Sequence, residues 1–141
     1  MRKKELLRIL DANINRAKEG LRVCEDILRF WGNDKKLTRS CRGLRHKIDK
    51  ILSDEPLFLK EKLLFCRDVK GDVGKNLKIE REKKNLRDLF LANMQRIEEG
   101  LRVLEEISKL FNPGLGEKFR ELRFRTYHLE KKAFRLIRKY A

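Results

Sequence analysis

Three polar residue types recur at one spacing in two distant parts of the chain, and all three suit the binding of an anionic ligand. Arginine binds phosphate through two parallel hydrogen bonds, and the asparagine side chain both donates and accepts. Glycine costs about 1 kcal/mol relative to alanine inside a helix, so its presence there indicates a close helix contact or a ligand contact. The two sets are Asn13, Arg16 and Gly20, and Asn93, Arg96 and Gly100.

On a helical wheel, each set lies in an apolar band beside the stripe that is expected to form the core. An arginine in such surroundings needs an anionic partner. In one interpretation, Arg16 and Arg96 face each other across a two-fold axis and, with the two asparagines, bind a phosphate-bearing ligand. In the alternative, the partners are carboxylates inside the protein. The candidates for that role are Glu19, Glu25, Glu99 and Glu105.

A second candidate site lies in the segment 66–76, which has no apolar period and contains two glycines. Aspartate carboxylates are oxygen ligands for Mg²⁺, and an arginine beside them can bind phosphate. Aspartate and glycine are also common turn residues, so a plain connection is the alternative. The residues that suggest the site are Arg67, Asp68, Asp72 and Gly74.

One histidine, His46, follows Arg45 on a predicted helix. Together with Arg42, Arg45 and Arg67, it could form part of an anion site. The alternative is a structural role without any ligand.

Helices must position these residues, because apolar residues recur at helical spacing nearly throughout the chain. The pattern predicts an all-α protein with four long helices and one short helix, and Asp34 is placed to cap the second long helix. The predicted ranges of the helices are 2–30, 35–52, 57–65, 79–111 and 116–140.

An internal repeat organises these helices. LDANINRAKEGLRVCEDILRF, from Leu10, aligns without gaps to FLANMQRIEEGLRVLEEISKL, from Phe90, and 10 of 21 positions are identical. We expect a single domain, 1–141, in which two helical hairpins, 2–53 and 79–140, are joined by a linker, 54–78. Each hairpin has an apolar face to bury, so the pair is expected to form a helical bundle with an approximate two-fold axis.

Composition restricts the class of protein further. The chain has 141 residues and a net charge of +15, with charged residues distributed through every apolar stretch, so we expect a cytoplasmic protein without a membrane span. Three cysteines without a CxxC pair argue against disulfides and zinc and favour buried free thiols. The common nucleotide, dinucleotide, zinc-protease and hydrolase motifs are absent from the sequence.

The segments DANINRAKEGLRVCEDILRF, LRH at 44–46 and RDVKGDVG at 67–74 resemble a small helical family of thiamine biosynthesis. Members of that family are often fused ahead of thiamine-phosphate synthase, and the family is regarded as an alternative hydroxymethylpyrimidine phosphate kinase. The resemblance implies phosphoryl transfer from ATP, with Mg²⁺, onto a phosphorylated pyrimidine. It supplies no residue roles.

We therefore assign roles from the residues, within the reaction that the resemblance implies. Phosphate binding is assigned to the arginines, with Arg16 and Arg96 acting on the reacting groups, and Mg²⁺ binding to the two loop aspartates. Asn13 and Asn93 are expected to hydrogen-bond the substrate, and the repeated glycines to lie against it. The remaining residues assigned to the substrate or metal are Arg45, His46, Arg67, Asp68 and Asp72.

Two hypotheses compete with a kinase. The chain could be a non-catalytic partner or regulator of thiamine-phosphate synthase, or a basic helical module that binds nucleic acid. The second is motivated by the net charge, but acidic residues are interspersed along every helix and no nucleic-acid motif is present. The sequence leaves the oligomeric state open, since such a bundle is complete alone or pairs into a homodimer.

Overall fold

The computed structural model describes residues 2–77 and 82–140, without the side chain of Tyr140, and the all-α prediction is confirmed. Within these residues the chain forms five α-helices, a π-helical turn and two 3₁₀ turns, and no strand. The π-helical turn, Ile27–Trp31, directly continues the first helix. The helices are α1 (Lys3–Asp26), α2 (Lys35–Asp54), α3 (Lys60–Cys66), α4 (Leu86–Ser108) and α5 (Pro113–Ile137).

Side-chain caps set most of the helix starts. Asp34 accepts a hydrogen bond from the Leu37 amide at 2.8 Å, which confirms the predicted cap of α2. At the start of α5, Asn112 accepts from the Gly114 amide at 2.9 Å and Pro113 takes the first helical position. That helix therefore begins three residues before the predicted Gly116.

The start of α4 differs most from the sequence prediction. The predicted first residue, Ile79, lies outside the described residues, and 82–85 are not helical. Asn85 accepts a hydrogen bond from the Asp88 amide at 2.8 Å, and this cap fixes the helix start at Leu86.

The four long helices form two layers. Helix α1 packs against α4 and α2, while α5 packs against the same two helices and α3 covers α1. The predicted core stripe of α1 is buried throughout, and so are the residues 80 positions later on α4. The stripe of α1 and the π-helical turn that continues it is Leu10, Ile14, Ala17, Leu21, Cys24 and Leu28, and that of α4 is Phe90, Met94, Ile97, Leu101, Leu104 and Ser108.

The repeated glycines lie where α1 and α4 approach each other. A Cβ atom built on Gly20 would lie 2.8 Å from Cγ1 of Ile97 and 3.2 Å from the carbonyl oxygen of Asn93. One built on Gly100 would lie 3.3 Å from the carbonyl oxygen of Asn13. Gly20, late in α1, thus meets the early part of α4, and Gly100, late in α4, meets the early part of α1. The two helices therefore run antiparallel. Of the two explanations offered by the sequence, close helix packing applies to both glycines.

Two buried glutamates on the α1–α4 layer hold the second layer. Glu25 of α1 accepts hydrogen bonds from Arg42 and Arg45 of α2, each at 3.3 Å. Glu105 of α4 accepts from Nε of Arg123 of α5 at 3.1 Å. Each carboxylate is 1% exposed and is neutralised by guanidinium groups, which buried charges require.

Candidate functional site

A groove of about 890 Å³ runs along the outer side of the contact between α1 and α4. Its volume lies in the range of small-molecule sites, roughly 300–1,000 Å³. Both members of the repeated Asn and Arg pairs line it, so the structure brings together residues that are 80 positions apart. The lining from the repeats includes Asn13, Arg16, Glu19, Asn93, Arg96, Glu99 and Gly100.

The side chains of the two asparagines are held by their own helices. Nδ2 of Asn13 donates to the carbonyl oxygen of Ile9, and Nδ2 of Asn93 donates to that of Leu89, both at 2.8 Å. Oδ1 of Asn13 accepts from Nη1 of Arg16 at 3.1 Å. These bonds fix the orientation of both amides, and Asn13 also restrains the neighbouring guanidinium.

Arg16 and Arg96 are exposed in the groove rather than buried, which corrects the helical-wheel interpretation. Neither guanidinium forms an ion pair with any carboxylate of residues 2–77 and 82–140. The candidate partners Glu25 and Glu105 bind other arginines instead. Burial alone would raise the pKa of Glu105, but the hydrogen bonds from Arg123 and Lys109 outweigh it and lower the pKa. The Glu105 carboxylate therefore stays charged and bound to Arg123 and Lys109.

A second groove, of about 460 Å³, lies between α1 and the loop that follows α3. Arg67 crosses it and donates to both carboxylate oxygens of Asp11, from Nε at 2.6 Å and from Nη2 at 2.9 Å. The hydrogen bond with Asp11 raises the pKa of Arg67, so the guanidinium is permanently charged. We call this cleft the α1–loop groove and the larger one the α1–α4 groove.

The two grooves share two lining residues, Asn13 and Arg16. Arg16 therefore stands on the ridge between them and is accessible from both sides. Asp68 and Asp72 line the α1–loop groove only, whereas Arg96 and Asn93 line the α1–α4 groove only. The loop candidates and the helix candidates thus form two adjoining parts of one region.

The two loop aspartates also organise the loop. Oδ1 of Asp68 accepts from the Gly71 amide at 2.8 Å, and Oδ1 of Asp72 accepts from the Gly74 amide at 2.9 Å. Each carboxylate keeps its second oxygen outside these turn bonds. No group of three or more His, Cys, Asp or Glu side chains in the described part of the chain is arranged to hold a metal ion. Proteins usually bind Mg²⁺ through one or two carboxylates, and the phosphates of the substrate supply further ligands. Asp68 and Asp72 are the carboxylates that could serve in this way.

Three of the candidate residues, Gly20, Arg45 and His46, are not part of either groove's lining. Nη2 of Arg45 donates to Glu25 at 3.3 Å and so links α2 to α1. His46 is exposed on α2. The structure brings neither Arg45 nor His46 to the grooves that contain the repeated arginines.

The sequence analysis missed Asp11, the carboxylate that fixes Arg67. This residue follows Leu10 of the core stripe and is 6% exposed. A charged residue at a nearly buried helical position was the available signal, but its partner lies 56 residues away in a loop.

The three cysteines are buried free thiols, as predicted. Burial and the nearby Glu25 carboxylate raise the pKa of Cys41 to about 12, and burial raises that of Cys24 further. Both thiols are therefore protonated at neutral pH and are not poised as nucleophiles. None of the helices described is long and apolar enough to cross a bilayer.

The sequence matches a known protein family. The model of the ThiD2 family matches residues 8–132, and the chain belongs to that family. This confirms the resemblance to a helical family of thiamine biosynthesis.

Several curated relatives share this region. The chain is 40% identical over 125 residues to a thiamine-phosphate synthase of Nostoc sp., covering 87% of the chain and 34% of the relative. It is 41% identical over 127 residues to a thiamine-phosphate synthase of Synechocystis sp., covering 89% and 35%. A thiamine-phosphate synthase of Rhodopirellula baltica is 35% identical over 124 residues, covering 86% and 32%. The chain thus spans about a third of these relatives, and no solved structure matches it.

Proposed function

We propose that this chain transfers the γ-phosphoryl group of ATP to hydroxymethylpyrimidine phosphate, giving the diphosphate that thiamine-phosphate synthase consumes. Membership of the ThiD2 family and the relatives named thiamine-phosphate synthase support thiamine biosynthesis as the process. The observation that carries the specific reaction is the meeting of two grooves at Asn13 and Arg16. A transfer between two phosphorylated molecules needs two adjoining sites with cationic groups at their junction.

In this proposal the pyrimidine phosphate occupies the α1–α4 groove and ATP occupies the α1–loop groove. Arg96 and Arg16 bind the phosphate of the acceptor, and Asn93 hydrogen-bonds the pyrimidine or its phosphate. Arg16 also reaches the γ-phosphoryl group, because it borders both grooves. The apolar side chains of Val23 and Leu91 in the larger groove are suited to contact with the pyrimidine ring.

The chemistry then consists of positioning and charge neutralisation. An oxygen of the acceptor phosphate attacks the γ-phosphorus, a new P–O bond forms, and the bond to the β-phosphate oxygen breaks to release ADP. The acceptor oxygen is already deprotonated, so no general base is required. Asp68 and Asp72 would hold Mg²⁺, which when bound neutralises charge on the triphosphate.

The test is phosphoryl transfer by the purified full chain with ATP, Mg²⁺ and hydroxymethylpyrimidine phosphate, with the pyrimidine diphosphate detected by mass. We expect product with the unmodified chain. Loss of one charge-stabilising group costs about 100-fold in rate, so Arg16→Ala is expected to lower turnover by that factor.

Arg22→Ala is the matched control, because Arg22 is an exposed arginine on the same helix outside both grooves. It is expected to retain turnover within twofold. Unchanged turnover in Arg16→Ala would contradict the proposed junction.

The relatives also favour a second candidate function, that of a non-catalytic partner of thiamine-phosphate synthase, since this region forms about a third of their length. Thermal protection by the pyrimidine phosphate, without any diphosphate formed, would support that function and exclude the kinase.

A further inference from the structure

The positive charge of the protein is concentrated on the layer opposite the two grooves. Helices α2 and α5 carry fourteen Lys and Arg residues against five Asp and Glu residues, whereas α1 and α4 carry nine against ten. The sequence suggested that acidic residues offset basic ones along every helix, and α2 and α5 depart from that expectation. The net charge therefore belongs mostly to one layer of the bundle.

Most of this charge faces outward and is uncompensated. Twelve of the fourteen basic side chains on α2 and α5 are exposed, while Arg45 and Arg123 turn inward to the two buried glutamates. Among the twelve, eight form no ion pair with any residue that the structure describes. Such a surface attracts polyanions over several ångströms at moderate salt.

A groove of about 270 Å³ follows the seam between α2 and α5. Three Lys and Arg side chains and one histidine line it, and Gly43 leaves it open, because a Cβ atom built there would meet no atom within 4 Å. We call it the α2–α5 groove. Its polar lining consists of Ser40, Lys47, Arg125, His128 and Lys132.

An exposed aromatic side chain lies at the end of this groove. Phe124 is 50% exposed and lines an adjoining depression that shares Arg125 and His128 with the groove. The guanidinium carbons of Arg120 and Arg123 lie 5.1 and 4.9 Å from its ring centroid. These contacts and an edge-to-face contact with the Tyr127 ring, whose centroid lies 5.9 Å away, hold the half-exposed ring at the surface, where its accessible part can contact a nucleobase.

We propose that the α2–α5 groove binds the phosphate backbone of single-stranded RNA and that Phe124 stacks on a base beside it. A cationic groove that follows the backbone, with an aromatic ring for stacking, is how sequence-tolerant single-strand binding is achieved. The groove shares no lining residue with the α1–α4 groove, so RNA and the small substrate occupy opposite layers.

A lipid surface suits this layer less well than a nucleic acid does. Helices that lie on membranes present several large apolar side chains toward the bilayer. Among the described residues of α2 and α5, the exposed large apolar side chains are those of Phe124 and Tyr127 alone. Binding by α2 and α5 therefore depends on charge and single-ring stacking rather than on burial of an apolar face.

The test measures binding of the full chain to a fluorescent single-stranded RNA of about 20 nucleotides by anisotropy, from about 50 to 300 mM KCl. Three phosphate contacts predict a fall in log K against log salt with a slope of about −2. Gly43→Glu places a carboxylate in open space inside the groove and is expected to weaken binding at least tenfold. Gly43→Gln, of the same size, is expected to leave the affinity within twofold of the unmodified chain.

Two further variants distinguish binding at the α2–α5 groove from non-specific attraction by the net charge of the protein. Lys3→Glu changes the net charge more than Gly43→Glu does, but on α1, and is expected to have little effect on RNA affinity. Phe124→Leu is expected to weaken binding about fivefold, the lower end of a stacking contribution.

Three outcomes would overturn the proposal. The first is no RNA binding at the lowest salt, and the second is an equal loss in Gly43→Glu and Lys3→Glu. The third is tighter binding to vesicles of phosphatidylserine and phosphatidylcholine, or to polyglutamate, than to RNA, which would assign the surface to lipid or to an acidic protein.

Discussion

The two layers of the bundle carry different kinds of surface, and each layer contains one helix from each of the two predicted hairpins. The α1–α4 layer is nearly neutral, with nine basic residues against ten acidic ones, and Arg16 and Arg96 are the arginines that line its groove. The α2–α5 layer is strongly basic, and eight of its fourteen Lys and Arg residues form no ion pair with any described residue. A few charges at fixed positions suit a small anion, whereas a dense row of charges suits a polyanion, so the two layers suit two different kinds of ligand.

The largest effect is expected where the layers are joined. Glu25→Gln removes the carboxylate that neutralises Arg42 and Arg45, and breaking such a buried pair costs about 3 kcal/mol of unfolding free energy. Chemical denaturation measures this loss. Glu106→Gln is the control, since Glu106 is half exposed and its ion pairs are at the surface, so its effect is expected within about 0.5 kcal/mol. Equal effects would mean that the buried glutamates do not hold the layers together.

The second prediction compares the two repeated arginines. Arg16 borders both grooves and Arg96 borders one, so Arg16→Ala is expected to lower phosphoryl transfer about 100-fold and Arg96→Ala about tenfold. Measuring KM and kcat separately sharpens the comparison of the two arginines, because Arg96→Ala is expected to raise the KM for the pyrimidine phosphate. Equal losses would indicate that the ridge position of Arg16 has no special role.

The third prediction concerns a buried carboxyl between the layers. Burial, followed by the neighbouring Glu130, raises the pKa of Glu98 to about 8, and one oxygen of Glu98 has no hydrogen-bond partner. The folded protein therefore keeps this proton between pH 4.5 and 8 while the unfolded chain loses it, so the Glu98 contribution to stability falls as pH rises.

Glu98→Gln removes that dependence. We expect it to match the unmodified chain near pH 4.5 and to exceed it by about 2 kcal/mol at pH 8. Thermal unfolding at the two pH values measures the difference. A difference between Glu98→Gln and the unmodified chain that stays constant at the two pH values would refute the assignment.

The smallest effect is expected when glycine is replaced by alanine at one position in each layer. Gly43 faces open space, so Gly43→Ala is expected to stabilise the protein by about 1 kcal/mol through helix propensity. Gly20 lies against Ile97 and the Asn93 carbonyl, so Gly20→Ala is expected to destabilise it by about 1 kcal/mol. The urea midpoints of the two variants should move in opposite directions. Movement in the same direction would show that the α1–α4 contact is not the tighter one.

Much of the fold could be predicted because it depends on local pattern. The core stripe of α1, the cap at Asp34 and the break before α5 follow from periodicity and from polar groups near helix ends. The start of α4 was placed too early, because the residues before Asn85 continue a plausible helical pattern and the cap outweighs it. The π-helical turn at Ile27–Trp31 carries no comparable signal, and the sequence placed those residues in the first helix up to Phe30.

The sequence by itself determined the helices, the repeat and the candidate side chains, since helical period, capping and residue chemistry are properties of neighbours along the chain. Only the tertiary structure decided that Arg16 borders two grooves, that Glu25 and Glu105 bind Arg45 and Arg123, and that the basic helices share one layer. Those facts depend on which helices pack together and on the angle at which each face meets its neighbour. The packing arrangement of the helices is set by burial of whole apolar faces, which involves residues far apart in sequence.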